Sequence, residues 1–284
     1  MPKRPYGDTG ENLSIVGFGG ITAADHPPSI VEELVLEAME RGVNYFDVAP
    51  TYGDAEELLG PILHEYRDEI FLACKTTQRR GNGAASELRS SLRKLQTDRF
   101  DLYQLHGIGS MDDVDTIFGK DGAIHAFVEA REEGKIDHIG FSAHSVEAAL
   151  AAIDRFDFDS VLFPINFVTY LREGFGPQVI EATRERGMAC LALKAMAKSK
   201  WPQGEMRDEF PKCWYQPASD PELADMALRF TLSQPVVAAI PPGEELLFKM
   251  ALDIASRFRP IEDREVEELR AIAGEQEPIF TLDL

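Results

Sequence analysis

The chain has 284 residues, 44% of them apolar, which excludes general disorder and suffices for one large α/β barrel or two modest domains. Its 29 basic and 49 acidic side chains leave a net charge of −20, which repels nucleic acid and anionic membranes, so neither is an expected partner and any phosphate site must be built locally. Three scattered cysteines, Cys74, Cys190 and Cys213, fit neither a disulfide framework nor a zinc motif, and without an apolar leader or a run of membrane-spanning length the expected location is cytoplasmic.

From Leu13 the run L-S-I-V-G-F-G-G reads as a first strand broken by glycines. Ser29 and Glu32 then fit a capping box, and Val31, Leu34, Val35, Ala38 and Met39 form one apolar helical stripe that Gly42 ends. Residues 43–53, V-N-Y-F-D-V-A-P-T-Y-G, hold a buried second strand ending near Ala49, closed by Pro50 and Gly53. A helix over 56–66 follows, then a strand at 70–75, a helix at 86–95 with Leu88, Leu92 and Leu95 on one face, and a strand at 100–105. Further on come a helix at 123–133, a strand at 136–141, a helix at 146–154, a strand at 160–165, a helix at 176–186 and a strand at 188–193. After a longer irregular stretch, Asp220 and Pro221 open a helix over 221–233, and a last strand at 236–240 precedes a helix at 245–255.

Eight strands alternating with helices imply parallel pairing, and eight such units in a chain of about 250 residues have the size of a closed (β/α)₈ TIM barrel. The expectation is therefore one barrel domain over 1–284, with a long loop after the seventh strand. The alternative, an open doubly wound sheet, would carry G-x-G-x-x-G after its first strand, whereas Gly17, Gly19 and Gly20 are spaced differently and open no helix.

In a barrel, the carboxyl ends of all strands converge on one face. Asp47 ends the second strand, Tyr52 lies in the loop after it, Lys75 ends the third and His106 the fourth. Lys75 supplies the cation a buried Asp47 needs, and its charge should lower the Tyr52 phenol from about 10 toward working pH. Tyr52 then serves as a general acid while His106 orients a carbonyl. The set contains no metal cage and no nucleophile with a base beside it, so a carbonyl protonated here needs an external donor, most simply a nicotinamide hydride.

The segments G-F-G-G-I, N-Y-F-D-V-A-P-T-Y-G, C-K-T, D-L-Y-Q-L-H-G, G-K-I-D-H-I-G-F-S and V-V-A-A-I-P-P-G, in this order, resemble the aldo-keto reductases over nearly the whole chain. The resemblance implies a barrel that binds NADPH, or NADH, in extended form and reduces an aldehyde or ketone to an alcohol, as an alcohol dehydrogenase or carbonyl reductase. It assigns Tyr52 as proton donor, Lys75 and Asp47 as its tuning pair and His106 as the carbonyl-placing residue. On the cofactor side it implies Gly20, Ile21, Ser142, Asn166, Lys194, Gly243, Lys249 and Asp253. Ser142 stands where the family has its carboxamide-binding serine, but Ala143 replaces the usual asparagine, His144 follows, and Leu162 stands where glutamine is common. Lys194 and Ala195 replace an aromatic that stacks on the nicotinamide. Glu244 and Glu245 are unwelcoming to a 2′-phosphate.

Substrate scope should come from two long connections, 111–120 and 197–219, the second with Trp201, Phe210, Trp214 and Tyr215, which either line an apolar pocket or pin the loop down. Cys74 should face away from Lys75 and serve packing. Two other functions fit the same fold. One is a non-catalytic, nicotinamide-nucleotide-binding redox sensor or subunit. The other is a Schiff-base aldolase acting through Lys75 or Lys194, which an Asp47 that keeps Lys75 charged argues against. Oligomeric state is left open.

Overall fold

The structure is a computed structural model that describes residues 1–204 and 207–282. A short antiparallel hairpin of β1 (Lys3–Pro5) and β2 (Asn12–Ser14) comes first. Eight parallel strands follow: β3 (Phe18–Gly19), β4 (Tyr45–Asp47), β5 (Phe71–Thr76), β6 (Phe100–Ile108), β7 (Ile136–Ala143), β8 (Ser160–Pro164), β9 (Ala189–Leu193) and, after a second hairpin of β10 (Ala197–Lys200) and β11 (Tyr215–Pro217), β12 (Ala238–Ile240). Each neighbour in the sheet is the next strand in sequence, and β12 returns to the start. Gly17 N–H donates to Ala239 O at 3.0 Å and Ala239 N–H to Ile15 O at 2.9 Å, which closes the barrel.

Strand alternation sorts the side chains into two layers. Tyr45, Phe71, Ala73, Leu102, Leu162 and Leu191 fill the barrel, while Phe46, Leu72, Cys74, Tyr103 and Leu105 pack outward against the helices. Cys74 is thus a packing residue, as its place beside Lys75 implied. The helix Pro28–Glu40 buries Val31, Leu34, Val35 and Ala38, each large side chain contributing roughly 1.5–3 kcal/mol. It ends where Gly42 takes φ +90°, a backbone that L side chains rarely adopt.

Several sequence expectations need correction. The run from Leu13 is not one strand: Leu13 belongs to the floor hairpin, and only Phe18 and Gly19 form the barrel strand β3. The first helix is not opened by Ser29 with Glu32, because Pro27 is its N-cap, no side chain caps it and Pro28 fixes its first turn. Residues 111–118, expected as loop, form the helix Met111–Phe118, capped by Ser110, which accepts from Asp113 N–H at 3.2 Å. The loop after the seventh barrel strand is partly the β10–β11 hairpin, and residues 205–206 within it lie outside the described residues. Two helices were not anticipated, Phe167–Glu173 and Asp263–Gly274. They bury Phe167, Val168, Leu269 and Ala273 together. Among the described residues no helix is long and apolar enough to cross a membrane.

Candidate active site

Asp47 is the last residue of β4 and sits in register with Ala73 of β5, two residues before Lys75, which pairs with Gln104 of β6. Positions 47, 75, 104 and 106 therefore face inward near the strand carboxyl ends. Asp47 and Lys75 are almost wholly buried and form a direct ion pair. The second Asp47 oxygen accepts from Tyr45 Oη at 2.9 Å and from Gln104 Nε2 at 3.0 Å. Lys75 Nζ also lies 3.3 Å from Val48 O and 3.4 Å from Tyr52 Oη. The Tyr52 and His106 rings stand edge to face with centroids 6.0 Å apart. All four expected titratable residues are brought together, with Tyr45 and Gln104 as two further donors to Asp47.

Burial, helped by the Cys74 thiol, raises the Tyr52 phenol above its ordinary value, so the expected lowering is absent. The physical reason is that burial of the phenol is the largest influence on it, and the nearby Lys75 does not offset that burial. Desolvation also lowers Lys75 well below the usual lysine range, with Lys194 adding to it, even though its ammonium is in direct contact with the Asp47 carboxylate. His106 is pushed down to about 3 by burial first, then by Lys75, His144, Lys194 and Arg79. Its imidazole is neutral at ordinary pH and its Nδ1 has no partner among the described residues.

A cavity of about 370 Å³ opens over this quartet. Ser142 and His144 line one side, with Leu162, Leu193 and Lys194 beyond them, and Ile21 and residues 240–243 line the far side. Trp214 and Tyr215 also face it, whereas Trp201 is tied to Cys213 O at 2.9 Å and Phe210 is buried in the core. The loop aromatics are thus divided between lining and pinning. Ser142 Oγ accepts from Gly107 N–H at 2.7 Å, which leaves its hydroxyl proton free to donate into the cavity.

Of the eight expected cofactor residues, Ile21, Ser142, Lys194 and Gly243 line the cavity, and Gly20 is the neighbour of Ile21. The other three do not line it. Asn166 caps the helix Phe167–Glu173 through its Oδ1, which accepts from Thr169 N–H at 3.0 Å, because the chain turns into a helix directly after β8. Lys249 is held by Glu245 at 2.8 Å and Glu37 at 3.6 Å, and Asp253 pairs with Arg41 at 2.5 Å, all on outer helix faces. Lys194 has φ +59° and no carboxylate partner among the described residues; its Nζ lies 5.5 Å from the Trp214 ring, and burial pulls it down to about 8. Lys212, which the sequence reading missed, lines the same cavity and donates to Thr22 O at 3.1 Å. Among the described residues neither lysine forms an ion pair, although Glu244, Asp25, Asp54 and Glu245 act on Lys212 from further off, and the two lie with the Gly243 turn before the helix Glu245–Ser256 as a donor set that fits a phosphate-bearing nucleotide.

A model described as the aldo/keto reductase family matches residues 15–273. The chain belongs to the aldo-keto reductase family. It is 26% identical to the oxidoreductase YqkF of Bacillus subtilis, with 95% of this chain and 96% of that one covered. It is 23% identical to the L-galactose dehydrogenase of Arabidopsis thaliana, with 99% and 92% covered. Among solved structures, the holo form of aldo-keto reductase AKR11C1 from Bacillus halodurans superposes with a TM-score of 0.76 at 23% identity, covering 98% of both chains. As an aldo-keto reductase the protein is an oxidoreductase on a (β/α)₈ barrel, and small-molecule carbonyl compounds are the substrate class its family suggests.

Proposed function

We propose that the protein is an NAD(P)H-dependent reductase that converts an aldehyde or ketone to an alcohol, with Tyr52 as general acid and residues 1–284 as one barrel domain. The observation that carries this reading is the phenol of Tyr52 standing 3.4 Å from a lysine whose charge depends on the buried Asp47, beside a neutral His106 and under an open cavity.

A reduced nicotinamide nucleotide, for which Ser142 and Leu193 are lining residues of the cavity, would supply the hydride. The chain's own groups do the rest. His106, neutral, donates one hydrogen bond to the carbonyl oxygen and orients it. Tyr52 Oη gives its proton to the same oxygen as the carbonyl carbon gains its new C–H bond, and the phenolate left behind lies against Lys75. Asp47 keeps that lysine charged, and Tyr45 and Gln104 keep Asp47 ionised by donating to it. A resting phenol above its usual value suits an acid, because it stays protonated until the developing alkoxide draws the proton away.

Ser142 would hold the carboxamide, and Lys194, Lys212 and the backbone at Gly243 the phosphates. The family resemblance implies NADPH, yet Lys249 is occupied by Glu245 and Glu37, so the reading extends to NADH binding at least as tightly. Titration of tryptophan and cofactor fluorescence with NADPH and NADH, followed by a panel of aldehydes and ketones, tests it. Saturable binding with no reduction across the panel would favour a sensor or binding subunit. A Schiff base at Lys75 is opposed by its three contacts, with Asp47, Val48 and Tyr52. Lys194, at about 8 and without a carboxylate, keeps the aldolase reading open, and borohydride trapping of a carbonyl on Lys194 would establish it.

A further inference from the structure

His106 lies at an irregularity in the sheet. The β6–β7 register shifts between Leu105 and Ile108, and Gly107 takes φ +65°, which turns the backbone at this point. A residue beside such a bulge is not held by regular ladder hydrogen bonds, so something else must fix its carbonyl and its neighbour's. Arg79, in the loop after β5, does this. Its Nη1 donates to His106 O at 2.9 Å and its Nη2 to Gly107 O at 3.0 Å. The guanidinium is in turn gripped by Asp113, with Nε donating to Oδ1 at 2.8 Å and Nη2 to Oδ2 at 3.3 Å. Asp113 Oδ2 also accepts from Gly109 N–H at 3.0 Å, and hydrogen bonding to Arg79 holds its carboxyl below the usual aspartate range. A planar fork is thus fixed on one edge by a carboxylate and reads two successive backbone carbonyls with the rest. The Gly107 N–H on the same bulge donates to Ser142 Oγ.

We propose that Arg79, held by Asp113, is a positioning residue that sets the place of the His106 imidazole. Neither Arg79 nor Asp113 lines the cavity, so both act through the backbone of β6 and not on the substrate. The inference rests on the reading of His106 as the group that places the carbonyl. A lysine at 79 keeps the charge but cannot span two carbonyls and a carboxylate at once.

The test uses the full chain as Arg79→Lys and Asp113→Asn, each alone and combined with His106→Ala. In the wild-type background Arg79→Lys lowers kcat/KM for the carbonyl about tenfold, while the Kd of the nicotinamide nucleotide changes less than about twofold. In the His106→Ala background the same substitution changes kcat/KM less than about twofold, because the group it positions is gone. Imidazole ¹⁵N resonances of His106 shift in both single variants and those of the distant His64 do not. Asp113→Asn keeps the arginine and loosens its grip, so it carries the test if Arg79→Lys does not fold. Equal losses with and without His106, or an unmoved His106 resonance, overturn the proposal. A wild-type protein that reduces nothing overturns the reductase reading instead, and the resonances still decide whether Arg79 places His106.

Discussion

The two ends of the barrel treat buried polar groups in opposite ways. At the floor, Tyr6 Oη donates to Ser160 Oγ at 2.7 Å, Asp101 Oδ2 accepts from Leu72 N–H at 2.6 Å while Arg67 pairs with it at 2.9 Å, and Asp159 Oδ2 accepts from Ile139 N–H at 2.8 Å with His138 beside it. These groups tie strand starts together and are satisfied. At the mouth, among the described residues, Gln104 Oε1 and His106 Nδ1 are buried without partners, Asn166 Nδ2 is likewise unpartnered just past β8, and Lys194 faces the cavity without a carboxylate. Buried polar atoms left unpaired cost roughly 1–3 kcal/mol each, and of these side chains His106 lines the cavity, where a ligand can complete it. The difference separates a structural end from a chemical one in a single barrel.

The largest effect that would break this comparison is at the mouth. Lys75→Met leaves Asp47 buried with only neutral donors, and the expected loss is about 3–5 kcal/mol of stability in denaturant melts together with loss of turnover. A loss near zero would mean the pair is not desolvated. Next in size, Gln104→Leu removes one of two hydrogen bonds to Asp47 Oδ2 and should cost about 1.5–3 kcal/mol with a fall in kcat. Tyr45→Phe removes the other and should behave alike.

The floor should answer only in stability. For His138, burial lowers the imidazole, but Asp159, Glu11 and Asp137 outweigh it and the folded value is raised. A raised folded value contributes stability that is whole below the unfolded value of about 6.5 and is lost as pH rises through the folded one. His138→Gln should therefore destabilise by up to about 1 kcal/mol near pH 5.5 and by less near pH 9, with activity unchanged at both. Denaturant melts at the two pH values check it, and an effect larger at high pH would reverse the assignment. The smallest expected effect is a flat profile: with His106 neutral above about 3 and Tyr52 raised, kcat/KM for reduction should hold level between about pH 5 and 7, below the range in which Lys194, at about 8, loses its charge. An acid limb near 6.5 would show His106 titrating as an exposed histidine.

The barrel and its quartet could be read from the chain because strand ends carry their own punctuation, as Pro50 and Gly53 do after Asp47, and because topology brings all such ends to one face. Tyr45 and Gln104 could have been found the same way, each lying two residues before a quartet member on the same strand face. Arg79 could not, since its partners are backbone carbonyls, which leave no mark in sequence. The capping role of Asn166 was not foreseen, since its Oδ1 serves the helix Phe167–Glu173 while its Nδ2 has no partner among the described residues. Lys249 and Asp253 have ion partners that the sequence does not announce, Glu245 on the same helix and Arg41 after the helix Pro28–Glu40. The resting state of Tyr52 was misjudged because burial raises its phenol, and the depth of that burial cannot be read from the neighbouring residues in sequence.

The most direct test of the central claim is Tyr52→Phe, which removes one oxygen and leaves Lys75, Asp47 and His106 in place. With a carbonyl the wild type reduces, kcat should fall by about 10²–10⁴ while NADPH and NADH bind as before. Turnover at the wild-type rate with the phenol gone would contradict Tyr52 as the acid.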